Sequence, residues 1–91
     1  MKFGLFGGAV ARRGEETADS QGYGDFIDTV IEAEQLGFES IFIVEHHFSG
    51  GGQLSSSLNL LSYLAAKTST IRLGTAVTVL PWHNPVLIAE Q

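Results

Sequence analysis

Three short apolar runs, separated by two stretches with helical spacing, constrain the fold of this chain more than any other feature. The runs cover residues 2–6, 40–44 and 71–80 and are rich in β-branched and aromatic side chains. The middle run is continuously apolar, which is typical of a strand covered on both faces in a parallel sheet. The helical stretches cover about 25–36 and 57–67. The order strand, helix, strand, helix, strand therefore predicts successive βαβ units.

The ends and buried faces of the helices follow from residue type and spacing. Asp25 is predicted to cap the first helix and Gly37 to end it. Serines at 55–57 are predicted to cap the second helix, and Asn84, with Pro85 at the first helical position, a third. Helical spacing predicts buried faces formed by Phe26, Ile27, Val30 and Ala33 in the first helix, and by Leu58, Leu61, Leu64 and Ala65 in the second.

Composition excludes several classes of protein. Apolar residues make up 44% of the 91 residues and charged residues 16%, which is too apolar and too weakly charged for a disordered tail. The formal charge of −5 argues against nucleic-acid binding and against a basic membrane-binding surface. There is no cysteine, and no apolar stretch reaches the roughly 18 residues of a membrane span. These features predict a soluble, cytoplasmic protein.

The alternation of strands and helices fits either a doubly wound sheet or a (β/α)₈ barrel. Glycines follow the first strand at Gly7 and Gly8, but they do not continue as G-x-G-x-x-G, which disfavours a Rossmann dinucleotide site. The loops that follow the strands are long, and in parallel α/β proteins such loops build the active site. Chemically distinctive residues are concentrated in these loops: Arg12, Arg13, His46, His47, Trp82, His83 and Asn84.

The densest chemical cluster is Glu45-His46-His47, directly after the second strand. It is compatible with acid/base chemistry, in which Glu45 raises the basicity of an imidazole, or with one histidine capping the loop and the other solvated. Adjacent strand residues face opposite sides, so one histidine at most is expected to enter the site. Because consecutive side chains point to opposite sides, Glu45, His46 and His47 are not expected to converge on one metal ion, and no HxH or HxxxH spacing is present. The sequence therefore predicts no metal site.

Other candidates each have a structural and a functional interpretation. Ala76 and Val77 are either core or a flat surface of small residues for a planar ring. Trp82 and His83 either line a pocket or belong to a turn that starts a helix. The glycines at 50–52 form either a lid or a plain connection, and Arg12 and Arg13 either bind an anion or are solvated.

Four separated segments resemble the bacterial luciferase-like flavin monooxygenases. They are MKFGLF at 1–6, AEQLGFES at 33–40, IVEHHF at 43–48 and LGTAVTVLP at 73–81. The family fold is a (β/α)₈ barrel, and such barrels run to about 250 residues. The resemblance implies an α/β fold in which residues 1–91 are the N-terminal part of a single luciferase-like barrel domain. That part would comprise the first three βα units of an incomplete TIM-type barrel, which is expected to be inactive alone.

The resemblance also implies reduced FMN and O₂ as reactants, with a flavin C4a-peroxide that oxygenates a small organic substrate. His46 matches the catalytic histidine of the family, and Glu45 matches an acid that lines the site. Ala76 and Val77 match the pair that supports the isoalloxazine ring, where the family often has a cis peptide bond. Phe6 matches a position that faces the ring or the substrate.

Two departures separate the chain from the luciferases proper. These have Ala-Ala where this chain has Ala76-Val77, and a histidine before the proline where this chain has Asn84. These departures favour a relative of the luciferases with an undetermined substrate. The resemblance also implies that a flavin reductase or another NAD(P)H-dependent reaction supplies reduced FMN, and that the complete protein is a homodimer. A deazaflavin-dependent oxidoreductase and a non-catalytic flavin-binding or self-assembling barrel fragment are the alternatives.

Overall fold

The secondary structure follows the predicted order in the computed structural model, which describes residues 1–11 and 20–91. Strands and helices alternate along the chain, and a single turn of 3₁₀-helix precedes the last helix. The elements are β1 (Gly4–Gly7), α1 (Gln21–Gln35), β2 (Ser40–Ile43), α2 (Ser57–Lys67), β3 (Arg72–Thr75), the 3₁₀ turn (Leu80–Trp82) and α3 (Pro85–Glu90). No helix within the described ranges is both long and apolar enough to cross a bilayer.

The three strands form a parallel sheet in the order β1-β2-β3. Ile41 and Ile43 of β2 are buried in the same cluster as residues of α1 and α2, so both helices cover one face of the sheet. Right-handed crossovers that always step in the same direction produce this arrangement, whereas a doubly wound sheet needs a reversal. Strand order and helix placement are thus those of a barrel segment, although one half of a doubly wound sheet shares them.

The opposite face of the sheet is open in the described part of the chain. Phe6, Phe42 and Gly74 are neighbours in the strand register, and the side chains of Phe6 and Phe42 are exposed. The prediction that the middle strand is covered on both faces is therefore wrong for these residues. Phe42 still shields part of the sheet, because its ring lies over Gly74, where a Cβ atom would come within 2.8 Å of it.

The core lies between the sheet and the two helices. In α1 the predicted residues Val30 and Ala33 are buried, with Phe26 and Ile27 packed beside them. In α2 the buried face is formed by Ser57, Leu60 and Leu64, and the prediction that Ala65 belongs to it is wrong. These three residues are spaced i, i+3 and i+7, so they share one face of the helix, and that face packs on the sheet. Leu58 and Leu61 lie beside this face and are only partly buried.

The predicted helix ends are only partly confirmed. Gly37 follows α1 with a φ of 84°, a left-handed conformation that suits glycine, and so confirms the predicted stop. Asn84 caps α3 by accepting hydrogen bonds from the amides of Val86 and Leu87 at 2.9 and 3.4 Å. The helix α1, however, begins at Gln21, so Asp25 lies inside it, where its carboxylate accepts a hydrogen bond from the Gln21 side chain at 2.6 Å. At the N-cap of α2, the Ser56 side chain makes no capping hydrogen bond.

The third strand is shorter than the apolar run 71–80 predicts. It ends at Thr75, because the chain beyond leaves the sheet to form other hydrogen bonds. The Val79 amide donates to the Glu45 carboxylate at 3.1 Å, and the Val79 carbonyl accepts from the Trp82 amide at 3.0 Å. An apolar run alone cannot distinguish this path from a longer strand.

Glu34, near the end of α1, binds the turn between α2 and β3. Its Oε1 accepts hydrogen bonds from the amides of Ser69, Thr70 and Ile71 at 2.8, 2.6 and 2.9 Å. The amides of Thr70, Ile71 and Ser69, in order of effect, lower the pKa of Glu34 from 4.5 to about 2. One ionised carboxylate thus holds the amino end of β3 against α1.

We expect Glu34→Gln to lower the melting temperature at pH 7. The folded-state pKa of Glu34 is depressed, so its contribution is complete above pH 4.5 and is lost as the pH falls towards about 2. The difference between wild type and variant should therefore shrink across that range in thermal melts followed by circular dichroism. Glu32→Gln, an exposed neighbour on the same helix, is the control and should change little. A deficit that does not depend on pH would contradict the assignment.

Candidate active site at the carboxyl edge of the sheet

Hydrogen bonding between the strands continues one step beyond their carboxyl ends. The amide of Val44 donates to the Gly7 carbonyl at 3.0 Å, and the amide of Ala76 donates to the Ile43 carbonyl at 2.8 Å. This extension holds the first residues of each loop in strand-like positions. The segments after β2 and β3 therefore lie side by side, as the parallel register requires.

Glu45 is the buried charged residue at this edge. Its Oε1 lies 2.6 Å from Nε2 of His47 and 3.2 Å from Nε2 of His83. Its Oε2 accepts a hydrogen bond from the Val79 amide at 3.1 Å. Because an ionised carboxylate only accepts hydrogen bonds, both imidazole Nε2 atoms are the donors. One carboxylate thus joins the end of β2 to the segment that precedes α3.

The environment of Glu45 favours its ionised form. Burial raises the pKa of this carboxyl, but the hydrogen bonds from His47, from the Val79 amide and from His83 outweigh that effect, and the pKa is lowered. Glu45 therefore remains a hydrogen-bond acceptor at neutral pH. It is suited to orienting imidazoles and not to donating a proton.

Three aromatic rings form a cluster beside Glu45. The imidazole of His47 stacks on the indole of Trp82, with 5.3 Å between ring centroids and 26° between planes. Phe48 meets Trp82 edge-on, with 6.3 Å between centroids and an angle of 64°. Phe48 has a φ of 55° and its side chain is exposed. The cluster presents an aromatic corner at the surface of the carboxyl edge.

His46 points away from this cluster. Its side chain is exposed and packs against Gly52, where a Cβ atom would lie 2.7 Å from the imidazole Cδ2. Its amide donates to the Leu54 carbonyl at 2.7 Å, which holds the residue in place. The two adjacent histidines thus diverge, as strand alternation predicts, with His47 directed to Glu45 and His46 to the open surface.

The loops after β1 and β2 are joined by a short antiparallel pairing. Val10 and Gly52 form an isolated bridge, flanked by hydrogen bonds from the Gln53 amide to the Ala9 carbonyl at 3.0 Å and from the Ala11 amide at 3.2 Å to the Gly51 carbonyl. The Tyr23 hydroxyl of α1 donates to the Gln53 carbonyl at 2.7 Å. This pairing joins the glycine segment to the loop after β1 and holds Gly52 beside His46.

Ala76 and Val77 follow β3 at the same edge. The peptide bond between them is cis, which confirms the expectation drawn from the resemblance. The side chain of Val77 is 63% exposed, and Phe6 at the end of β1 is 71% exposed. The edge therefore offers small and aromatic apolar side chains as well as the exposed imidazole of His46. Arg12 and Arg13 lie outside the described residues.

Sequence patterns did not predict that His47 and His83 share one carboxylate. The two histidines are 36 positions apart, and the sequence favoured the interpretation of His83 as part of a turn that starts a helix. The available signal was that Glu45 and His83 follow neighbouring parallel strands, whose ends meet at one edge. In the part of the chain that the structure describes, no three His, Cys, Asp or Glu side chains are arranged to hold a metal ion.

A sheet of consecutive parallel strands, helices on one face and chemistry-bearing residues after the strands fit a segment of a (β/α)₈ barrel. The chain belongs to the luciferase-like monooxygenase family, whose model matches residues 1–91.

Two curated relatives illustrate the similarity. A luciferase-like monooxygenase of Escherichia coli K12 is 34% identical over 77 residues, covering 85% of this chain and 23% of the relative. The alkanal monooxygenase beta chain of Photorhabdus laumondii is 32% identical over 91 residues, covering 100% of this chain and 28% of the relative. This chain thus spans about a quarter of the length of these relatives.

A solved structure confirms the fold. The oxygenating constituent of 3,6-diketocamphane monooxygenase from Pseudomonas putida, in complex with FMN, superposes with a TM-score of 0.85. The alignment covers 98% of this chain and 24% of that protein, with 24% identity. The likeness establishes a luciferase-like barrel segment.

Proposed function

We propose that the protein containing this chain is an FMN-dependent monooxygenase that uses reduced flavin and O₂ to oxygenate a small organic substrate. The observation that carries the proposal is the exposed imidazole of His46 at the carboxyl edge, where Ala76 and Val77 also lie. Family membership supports it, and so does the FMN bound in the Pseudomonas putida relative. When bound, reduced FMN would supply the chemistry of O₂ activation and oxygen transfer, with its electrons coming from a separate flavin reductase.

The residues of this edge fit a flavin ring. An isoalloxazine is planar and largely apolar, so it packs on small or aliphatic side chains that let it approach the backbone closely. Ala76 and Val77 supply such a surface, and the exposed phenyl ring of Phe6 supplies a second apolar contact for ring or substrate. None of these three side chains carries a charge that ring binding would have to desolvate.

His46 is the proton-transfer group in this proposal. Imidazole is the side chain best suited to exchange protons near neutral pH. The ring of His46 makes no hydrogen bond to the described residues, so it is free to face a reactant. Glu45 orients His47 and His83 at the same edge through its hydrogen bonds. We further propose that the complete protein acts as a homodimer.

The direct test is reconstitution of the complete protein with FMN, a flavin reductase and NADH. Oxygen uptake coupled to an oxygenated product supports the proposal. Tight flavin binding without substrate-dependent product formation would favour a binding module instead. Turnover that occurs with a deazaflavin cofactor and not with FMN would favour a deazaflavin-dependent oxidoreductase.

We expect Val77→Asp to weaken FMN binding about tenfold or more. The substitution places a carboxylate against the flavin ring, and burying an unpaired charge costs several kcal/mol, of which about 1.4 kcal/mol already corresponds to tenfold. Quenching of flavin fluorescence measures the dissociation constant. Val86→Asp is the matched control, because Val86 is similarly exposed, at 68%, and belongs to α3 and not to the segment that follows β3. Equal effects of the two variants would contradict the placement of the ring.

A further inference from the structure

Two points of the segment between β3 and α3 are hydrogen-bonded to Glu45. Residue Val79 donates its amide to Oε2, and His83 directs its Nε2 to Oε1 at 3.2 Å. Between these two points the chain makes one 3₁₀ turn, closed by the Trp82 amide on the Val79 carbonyl at 3.0 Å. Both ends of the turn that carries Trp82 are therefore bonded to the same buried carboxylate.

The indole of Trp82 is held from a second direction as well. Its face stacks on the imidazole of His47, which itself lies 2.6 Å from Glu45. The indole nevertheless remains 63% exposed, so its orientation does not come from burial in the core. Apart from the edge contact with Phe48, the contacts that hold the Trp82 turn and its ring lead back to Glu45.

The geometry points to Glu45, His47 and His83 as a positioning triad that orients Trp82, and to Trp82 as a residue that determines specificity for a planar, unsaturated substrate. Trp82 and Phe48 form an aromatic corner in which the two rings meet edge-on, and both residues are exposed. Flat rings gain from offset stacking and edge contacts, whereas flexible aliphatic chains gain area alone. Only the substrate half of this inference rests on the proposed function.

Near-UV circular dichroism tests the positioning half on the folded protein. The difference between wild type and Trp82→Phe isolates the signal of Trp82, because an indole in a fixed asymmetric environment gives strong bands there. Glu45→Gln and His47→Gln should each reduce this signal by about half or more. His46→Gln is the matched control, with the same change at the adjacent residue, and should leave the signal unchanged.

Retention of the signal in both Glu45→Gln and His47→Gln would overturn the positioning triad. If Glu45→Gln fails to fold, His47→Gln and His83→Gln carry the same test, since each removes one hydrogen bond to the carboxylate and leaves the other. A purely structural role of Glu45 would shift the unfolding transition and leave the Trp82 bands of the folded protein intact.

Equilibrium binding of two carbonyl probes to the FMN-loaded protein tests the specificity half. Trp82→Leu should weaken the binding of benzaldehyde about three- to tenfold, the range expected of one aromatic contact, and change that of hexanal by less than about twofold. Absence of benzaldehyde binding, or equal changes for both probes, would overturn the assignment. Neither near-UV circular dichroism nor equilibrium binding requires turnover. Failure of the proposed oxygenation would therefore be detected separately, as an absence of substrate-dependent oxygen uptake.

Discussion

His46→Ala is expected to lower the rate of oxygenation about 10²- to 10⁴-fold, the range in which a positioned acid or base contributes. The imidazole is exposed at the carboxyl edge, and its ring is not among the groups that hydrogen-bond Glu45, so its loss removes a reactive group without dismantling the cluster. The affinity for FMN should change by less than about threefold, because Ala76 and Val77 are untouched. Product formation and flavin binding are measured on the same FMN-loaded preparation.

Added imidazole provides the control for this variant. If His46 transfers a proton, free imidazole should restore part of the rate in His46→Ala and have no comparable effect on the wild type. Unchanged turnover in His46→Ala would exclude His46 as the proton-transfer group. A parallel loss of flavin affinity would assign it to binding.

Ile43→Ala is expected to lower the free energy of unfolding by about 2–5 kcal/mol, as other truncations of large core side chains do. Ile43 is 0% exposed and packs in the cluster between β2 and the two helices. Leu36→Ala removes a similar volume from a residue that is 70% exposed, and should cost about 0.5 kcal/mol or less. Urea unfolding of both variants gives the comparison, and similar costs would contradict the described core.

Much of the fold could be predicted from the sequence because its signals are local. Apolar periodicity placed all three strands and both long helices, and Gly37 and Asn84 marked helix ends through their own backbone and side-chain preferences. The start of α1 and the end of β3 could not be placed so well. The path after Thr75 depends on the bond from the Val79 amide to Glu45, 34 positions earlier in the chain.

The candidate site, like the fold, could be predicted only in part from the sequence. That chemistry-bearing residues would gather at the carboxyl edge followed from the parallel alternation alone. The alternation did not predict which histidine contacts Glu45, because His46 and His47 are the same residue type at adjacent positions. Their difference comes from the loop geometry, which turns one imidazole onto Gly52 and the other onto Trp82. The roles assigned to His46, Glu45, Ala76, Val77 and Phe6 remain predictions.

The backbone pairing between the loops after β1 and β2 has a consequence for recombination among relatives. Since Val10 and Gly52 are bridged and both flanking hydrogen bonds use main-chain atoms, residues 9–11 and 51–53 are positioned together whatever their side chains. A chimera that inherits only one of these loops from a different parent would misplace its neighbour together with His46. Loop grafts aimed at new substrates should therefore transfer the two loops as one unit.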